Sequence, residues 1–168
     1  MSPTDHEHTF VRDGQGLLPC ACGANVLAIQ DMLHPAADDA RRLAGDPYYT
    51  GCRLRQELEA VELWLFNAPW QVAQELEATY PGVYLIHNDA PRPLTALDEL
   101  RDSFDWEAWK AEGVRVWAVG PTVDGYLNVG VEDDLETAQK KLDAAYGGNV
   151  IRVSQQGPVM ALSARPNV

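Results

Sequence analysis

Hydrophobic and polar positions follow one pattern twice along this chain. From Val61 the sequence reads VELWLFNAPWQVAQELEATYPG, and from Leu127 it reads LNVGVEDDLETAQKKLDAAYGG. In register the two stretches are offset by 66 residues, so that Leu76 corresponds to Leu142. Each copy begins with alternating apolar residues, continues with apolar residues at helical spacing, and ends with a glycine and a second apolar run. The pattern predicts a repeated unit of strand, helix and strand.

A further alternating segment precedes each repeat and predicts a β-hairpin. Residues 48–66 alternate as a hairpin would, and Asp124-Gly125, a dipeptide typical of hairpin turns, joins residues 114–119 to the second repeat. The resulting prediction is an α+β protein of two related hairpin–helix–strand modules. We expect their strands to form one antiparallel or mixed sheet with the helices packed on one face.

The remaining segments have helical or irregular patterns. Residues 26–33 have helical spacing, and Pro35 predicts that this helix ends at His34, with a second short helix over 35–43. The tail at 159–162 is a candidate edge strand. The predicted organisation is an N-terminal arm at 1–46, a first module at 47–94 and a second module at 95–168.

The net charge of the chain limits the classes of partner that it can bind. A formal net charge of −12 repels phosphate backbones and anionic lipids, so we expect no direct binding to nucleic acid or to a membrane. The chain has no apolar run of about 18 residues, and its first residues, MSPTDHEHTF, do not resemble a signal peptide. Three cysteines, an odd number, favour a reducing compartment. These features predict a soluble cytoplasmic protein.

The order of elements resembles that of one known family. A hairpin closed by Asp124-Gly125, an alanine-rich helix, and a strand followed by the leucine-patterned helix LTALDELRDSF are similar to the pro-regions of α-lytic-type bacterial serine proteases. The resemblance covers residues 54–153. In that family the pro-region folds as α+β modules, binds the protease and assists its folding, so the resemblance implies a small protein-binding module. It carries over no specific motif and no residue roles.

The N-terminal arm contains the best candidates for metal ligands. His8, Cys20, Cys22 and His34 would supply four nitrogen and sulfur ligands, the number that zinc takes at structural sites. A short arm without a core of its own could be ordered by such a metal. The sequence resembles zinc knuckles that begin with HxF and continue into CxxCG, although its cysteine spacing is one residue shorter. Two alternatives stay open: an arm without metal, and a strained redox pair at Cys20-Ala21-Cys22.

Two tryptophans and one histidine are candidates for a site on the sheet. By parity, Trp64 and Trp117 lie on the strand faces opposite their apolar neighbours, and exposed aromatic patches often mark partner surfaces. The alternative is that residues 26–46 cover that face. His87, next to Asn88 and Asp89 at a strand end, combines an imidazole with a carboxylate, as a general base requires.

No decisive catalytic motif is present, since the chain has neither a Gly-x-Ser-x-Gly elbow nor a phosphate-binding loop. We therefore expect a non-catalytic protein-binding module, such as an inhibitor, adaptor or accessory factor. It would act through a sheet face or edge on another protein, or on a second copy of itself as a homodimer. One alternative is a small hydrolase-like or metal-dependent enzyme with its site near His87. Another is a structural component of a larger assembly.

Overall fold

The computed structural model describes residues 9, 12–13, 16–17, 20–132 and 134–157. By its contacts the chain divides into two compact units. The first extends to Leu97 and includes Thr122–Gly125, and the second comprises Asp98–Pro121 and the chain from Tyr126 onward. The first unit contains β1 (Arg12–Asp13), β2 (Gly16–Leu17), α1 (Val26–Ala44), β3 (Tyr49–Arg55), β4 (Ala60–Leu65), α2 (Trp70–Thr79) and β5 (Tyr84–His87). After α3 (Leu94–Asp102), the second unit contains α4 (Trp106–Ala111), β6 (Val116–Pro121), β7 (Leu127–Val131), α5 (Leu135–Tyr146) and β8 (Ile151–Gln155).

Each unit contains one three-stranded mixed sheet of the same design. In the first, β3 pairs antiparallel with β4, and β4 pairs parallel with β5 across α2. In the second, β6, β7 and β8 pair in the same way across α5. Each hairpin also has a bulge at the corresponding position, with Thr50 and Trp117 as the extra residues. The predicted α+β class and the two related hairpin–helix–strand modules are confirmed.

The strands do not join into the single sheet that the sequence suggested. The named strands of the two modules pair only within their own modules, which gives two three-stranded sheets. The alternation of apolar and polar residues is the same along an edge strand and along a strand that pairs with a second module. The pattern therefore indicated the strands and their faces, but it held no information on which edges pair.

The helix α1 is continuous through Pro35, so the predicted break at His34 is wrong. Asn25 caps its start by accepting a hydrogen bond from the backbone N–H of Leu27. A proline inside a helix costs about 3 kcal/mol, whereas burial of each large aliphatic side chain contributes roughly 1.5–3 kcal/mol. The contacts of α1 with the first sheet outweigh the proline because they bury one whole stripe of the helix: Ile29, Leu33, Ala36, Ala40, Leu43 and Ala44.

The inner face of each sheet is apolar and covered by helices. In the first unit Val61, Leu63 and Leu65 are buried against α1 and α2. Their counterparts in the second unit are buried with α5: Leu127, Val129 and Val131. Both inner faces are therefore buried, and the exposed side chains of the two sheets can be compared on their outer faces.

Two other observations concern the ends of the chain and the helices. The candidate edge strand at 159–162 lies outside the described residues. Of the helices in the described part of the chain, none combines the length and the apolar character needed to cross a bilayer.

Candidate functional site

Charged and aromatic side chains cluster on the outer face of the first sheet. Every second residue of β3, β4 and β5 points away from α1 and α2, as the strand period of two requires. On this face Arg53 lies opposite Glu62, and Trp64 lies opposite His87. We call the whole group the Trp64 surface, and it consists of Arg53, Arg55, Glu62, Trp64, Leu85 and His87.

Glu62 connects the three strands at the centre of this surface. Its Oε2 accepts hydrogen bonds from Arg53 Nε at 2.7 Å and from Arg55 Nη1 at 3.0 Å. Its Oε1 lies 2.9 Å from His87 Nε2. Because an ionised carboxylate can only accept hydrogen bonds, the Nε2 of His87 carries the proton. Both oxygens of Glu62 are thus engaged within the sheet, and the residue is only 7% exposed.

These contacts keep Glu62 ionised although it is buried. Burial by itself would raise the pKa of the Glu62 carboxyl, because it removes water from the charged form. The hydrogen bonds from Arg53, Arg55 and His87 outweigh that effect and lower the pKa to about 2. At neutral pH the surface therefore holds a fixed negative charge beneath two guanidinium groups.

The indole ring of Trp64 is held by the same partners. The His87 ring stacks on it with 5.0 Å between centroids and an angle of 18° between planes. The Arg53 guanidinium lies over the indole, 5.1 Å from its centroid, at a distance typical of a cation–π contact. Since Arg53 comes from β3 and His87 from β5, the tryptophan on the central strand is fixed from both neighbouring strands.

The outward-facing groups of the Trp64 surface are hydrogen-bond donors and apolar atoms. The side chain of Arg53 is 52% exposed and that of His87 is 44% exposed. Within the described residues, neither the Nη groups of Arg53 nor the Nδ1 of His87 has a hydrogen-bond partner. Leu85, next to Glu62, is 41% exposed. The surface thus presents an aromatic ring, an aliphatic side chain and an exposed guanidinium side by side.

The second sheet has different residues at the positions that correspond to the Trp64 surface. In register, Glu62 corresponds to Asn128 and His87 to Ser154. Asn128 Nδ2 donates to Ser154 Oγ at 3.1 Å, so the same cross-strand contact exists there as a neutral pair. Trp64 corresponds to Gly130, where an added Cβ would clash with the side chain of Gln156. The fold therefore does not require the charged and aromatic cluster of the first sheet.

The predicted site residues on the sheets have different positions in the structure. Trp64 and His87, predicted for two separate functions, stack on each other. Trp117 belongs to the other unit, is 43% exposed, and donates its Nε1–H to Glu132 Oε2 at 3.2 Å. The helix α1 packs on the inner face of the first sheet, so the segment 26–46 does not cover Trp64 in the way the alternative proposed. The carboxylate that contacts His87 belongs to Glu62.

The two polar residues after His87, Asn88 and Asp89, bond to the backbone where the strand ends. Asn88 Oδ1 accepts from the N–H of Ala68 at 2.7 Å, and Asn88 Nδ2 donates to the Ala68 carbonyl at 2.8 Å. Asp89 pairs through its backbone with Phe66. The cluster of His87, Asn88 and Asp89 read from the sequence is thus one histidine on the sheet face followed by two residues that close the strand end.

The zinc prediction for the arm concerns residues that the structure describes only in part. Cys20 is buried, Cys22 is exposed and His34 lies exposed on α1, while His8 lies outside the described residues. In the described part of the chain, no three His, Cys, Asp or Glu side chains are arranged to hold a metal. No disulfide joins the cysteines at 20, 22 and 52. Since one of its four ligands is not described, the zinc site stays a prediction.

The sequence analysis did not identify Arg53, Arg55 and Glu62 as site residues. They alternate with apolar neighbours, which is also the pattern of any solvated outer face. A usable signal was the single Glu between Val61 and Leu63, within a strand whose other residues are apolar apart from Trp64.

No family model, no curated protein and no solved structure matches this chain. The resemblance to protease pro-regions therefore stays a prediction, and the Trp64 surface is the feature of the structure that bears on function.

Proposed function

We propose that this chain is a protein-binding module and that the Trp64 surface is its binding surface. Tryptophan and arginine are the residues most enriched among those that dominate binding energies at protein interfaces. Trp64 is already fixed by Arg53 and His87, so ordering this side chain on binding costs little entropy. The role is that of an inhibitor, adaptor or accessory factor, which is also what the resemblance to protease pro-regions implies.

The observation that carries this proposal is the difference between the two outer faces. The same scaffold position holds the ion pairs of Glu62 in one module and the neutral pair of Asn128 and Ser154 in the other. Because the neutral pair is compatible with the fold, a sheet of this design can form without arginines, tryptophan and histidine at these positions, and we assign them a second role besides stabilising the first sheet. Recognition of a partner is the role that best fits the half-buried ring of Trp64 and the exposed donors beside it.

The partner that fits this surface is an extended segment of another protein. The ring of Trp64 and the exposed side chain of Leu85 offer apolar contacts, and Arg53 and His87 offer donors around them. The odd number of cysteines supports a cytoplasmic setting for this binding.

A comparison of two tryptophan variants tests the proposal. The chain and its Trp64→Ala and Trp117→Ala variants would be used for affinity capture from a cell extract, and captured proteins would be quantified by mass spectrometry. We expect a partner that is captured by the unaltered chain and by Trp117→Ala and is lost with Trp64→Ala. The purified partner should then show an affinity loss of about 2 kcal/mol or more for Trp64→Ala, as is typical of a central interface tryptophan.

Folding and self-association have to be measured alongside. Circular dichroism and thermal unfolding of Trp64→Ala establish that its loss of binding does not come from unfolding. Sedimentation velocity shows whether a second copy of the chain is the occupant, in which case Trp64→Ala would dissociate the dimer. If Trp64→Ala binds the partner as tightly as the unaltered chain, the proposed surface is wrong.

A second candidate function, catalysis at His87, is favoured by the contact between Glu62 and His87. A carboxylate 2.9 Å from an imidazole nitrogen fixes the tautomer and orientation of the ring, as in a general base. No hydroxyl or thiol in the described part of the chain makes a hydrogen bond with His87. The test is a panel of chromogenic esters and phosphodiesters, with and without zinc, on the chain and on His87→Gln. Turnover that His87→Gln abolishes would establish the enzyme, and equal background rates would remove this candidate.

A further inference from the structure

We propose that the Trp64 surface binds a single carboxylate side chain of its partner on the terminal nitrogens of Arg53. This inference rests on the proposed function and specifies the chemistry of the bound segment. The segment carries one Asp or Glu among neutral residues, at least one of which is apolar.

The guanidinium of Arg53 has a defined position on the Trp64 surface. Its Nε donates to Glu62 at 2.7 Å and its guanidinium lies over the Trp64 ring, so the group is held at two points. Its Nη groups have no hydrogen-bond partner among the described residues. A guanidinium held in this way presents its remaining N–H groups as a planar fork, which matches the two oxygens of a carboxylate.

The other charged side chains of the Trp64 surface, Arg55 and Glu62, already form ion pairs within the chain. Arg55 is bonded to both Glu57 and Glu62 and is less exposed than Arg53. Both oxygens of Glu62 accept hydrogen bonds within the sheet. Glu62 is only 7% exposed, so a partner lysine or arginine has little access to it, whereas a partner carboxylate can accept hydrogen bonds from the exposed Arg53.

The net charge of the whole chain limits how acidic the partner segment can be. A net charge of −12 repels any strongly acidic partner, so the local attraction at Arg53 favours one carboxylate and disfavours a run of them. The residues next to that carboxylate contact the ring of Trp64 and the exposed side chain of Leu85, and apolar side chains fit these contacts.

The experiment uses two capped peptides as probes, acetyl-TVDLT-amide and acetyl-TVNLT-amide. They are titrated into the isotope-labelled full chain while the NMR signals of the Trp64 indole N–H and the Arg53 Nε–H are followed. We expect the aspartate peptide to shift both signals and to bind at least about tenfold more tightly than the asparagine peptide, as expected for a charge-assisted fork. With Arg53→Gln, the aspartate and asparagine peptides should bind about equally tightly. The matched control Arg42→Gln, an arginine on α1 paired with Asp39, should keep the preference for the aspartate peptide.

Each other result overturns the inference in a distinguishable way. If both peptides shift the Trp64 signal equally, the surface binds peptides without using a carboxylate, and the proposed function stands alone. If only a phosphoserine peptide of the same sequence shifts Arg53, the ligand is a phosphate group and the carboxylate assignment is wrong. If no peptide shifts either signal at millimolar concentration and Trp64→Ala leaves partner binding unchanged, both proposals fail.

Discussion

Glu62 is the residue on which the arrangement of the Trp64 surface depends. Three side chains from two neighbouring strands donate to its carboxylate, and two of them, Arg53 and His87, also contact the Trp64 ring. Removing the charge of Glu62 therefore affects the positions of the ring and the arginine together. The contribution of the ionised Glu62 carboxylate to the free energy of unfolding depends on pH, and this dependence distinguishes it from the contribution of a neutral side chain.

Glu62→Gln should lower the free energy of unfolding at pH 7, and this loss should shrink to less than half at pH 3 and vanish below pH 2. The pKa of Glu62 in the folded protein, about 2, lies below its ordinary value of 4.5. The ionised group therefore stabilises the fold above pH 4.5, and this contribution is lost as the pH falls from 4.5 to 2. From the shift it amounts to on the order of 3 kcal/mol. Urea unfolding of both proteins at pH 7 and pH 3 measures the difference.

The neutral pair in the second module provides the control. Asn128→Ala removes the corresponding cross-strand hydrogen bond without removing a charge. Its effect on the free energy of unfolding should be the same at pH 7 and pH 3. If the penalty of Glu62→Gln is likewise independent of pH, the carboxylate is not ionised in the way described.

At the scale of elements, α1 shows how packing overrides a local signal. Pro35 leaves the carbonyl of Asp31, four residues earlier, without its backbone donor, yet the helix continues to Ala44. Two tyrosines of the first unit donate their hydroxyl hydrogens to α1 near this point: Tyr80 to the Asp39 carboxylate at 2.8 Å and Tyr84 to the Ala36 carbonyl at 2.6 Å. These bonds and the buried stripe of α1 hold the helix against the first sheet and so offset the cost of the proline.

Replacing this proline should stabilise the protein. Pro35→Ala restores the missing backbone donor and removes the clash of the ring with the preceding turn, so we expect the free energy of unfolding to rise by about 1–3 kcal/mol. Pro69→Ala is the matched control, because Pro69 lies at the N-cap of α2 with φ −66° and interrupts no helix. The free energy of unfolding of Pro69→Ala should be equal to that of the unaltered chain or slightly lower. A decrease for Pro35→Ala would show that the proline ring itself contributes to the packing of α1.

The sequence predicted most of the elements because their signals are local. Val61, Leu63 and Leu65 alternate, and Leu76 continues the apolar stripe of the following helix, so strand and helix could be placed from periodicity. The site could be predicted only in part. Trp64 was found because a tryptophan on an outer face is unusual. The stacking with His87 depends on the parallel pairing of β4 with β5, which no pattern within either strand encodes.

At the scale of the whole molecule, the two units have separate hydrophobic cores. Leu76 is fully buried with residues of α1 and β4, and Leu142 is fully buried with residues of β7 and β8. Among the described residues, each of the three hydrophobic clusters is made up of residues from a single unit. We therefore expect damage to one core to act mainly on the unit that contains it.

Leu76→Ala and Leu142→Ala form a matched pair that tests this expectation. Each should destabilise its own unit by about 2–5 kcal/mol, the cost of a cavity at a fully buried leucine. Hydrogen exchange followed by mass spectrometry should show faster exchange in β3, β4 and β5 for Leu76→Ala, and in β6, β7 and β8 for Leu142→Ala. Equal acceleration in both sheets by either variant would mean that the chain opens as one cooperative unit.

The neutral pair of Asn128 and Ser154 on the outer face of the second module also makes that face a scaffold on which a second binding surface could be engineered. Asn128 and Ser154 occupy the positions of Glu62 and His87, and Gly120, where an added Cβ meets no neighbouring atom within 4 Å, occupies that of Arg53. Only Gly130, crowded by Gln156, resists an aromatic ring. Transplanting the four side chains while shortening Gln156 would give one molecule two like-shaped binding faces, and so an avidity that the natural chain lacks.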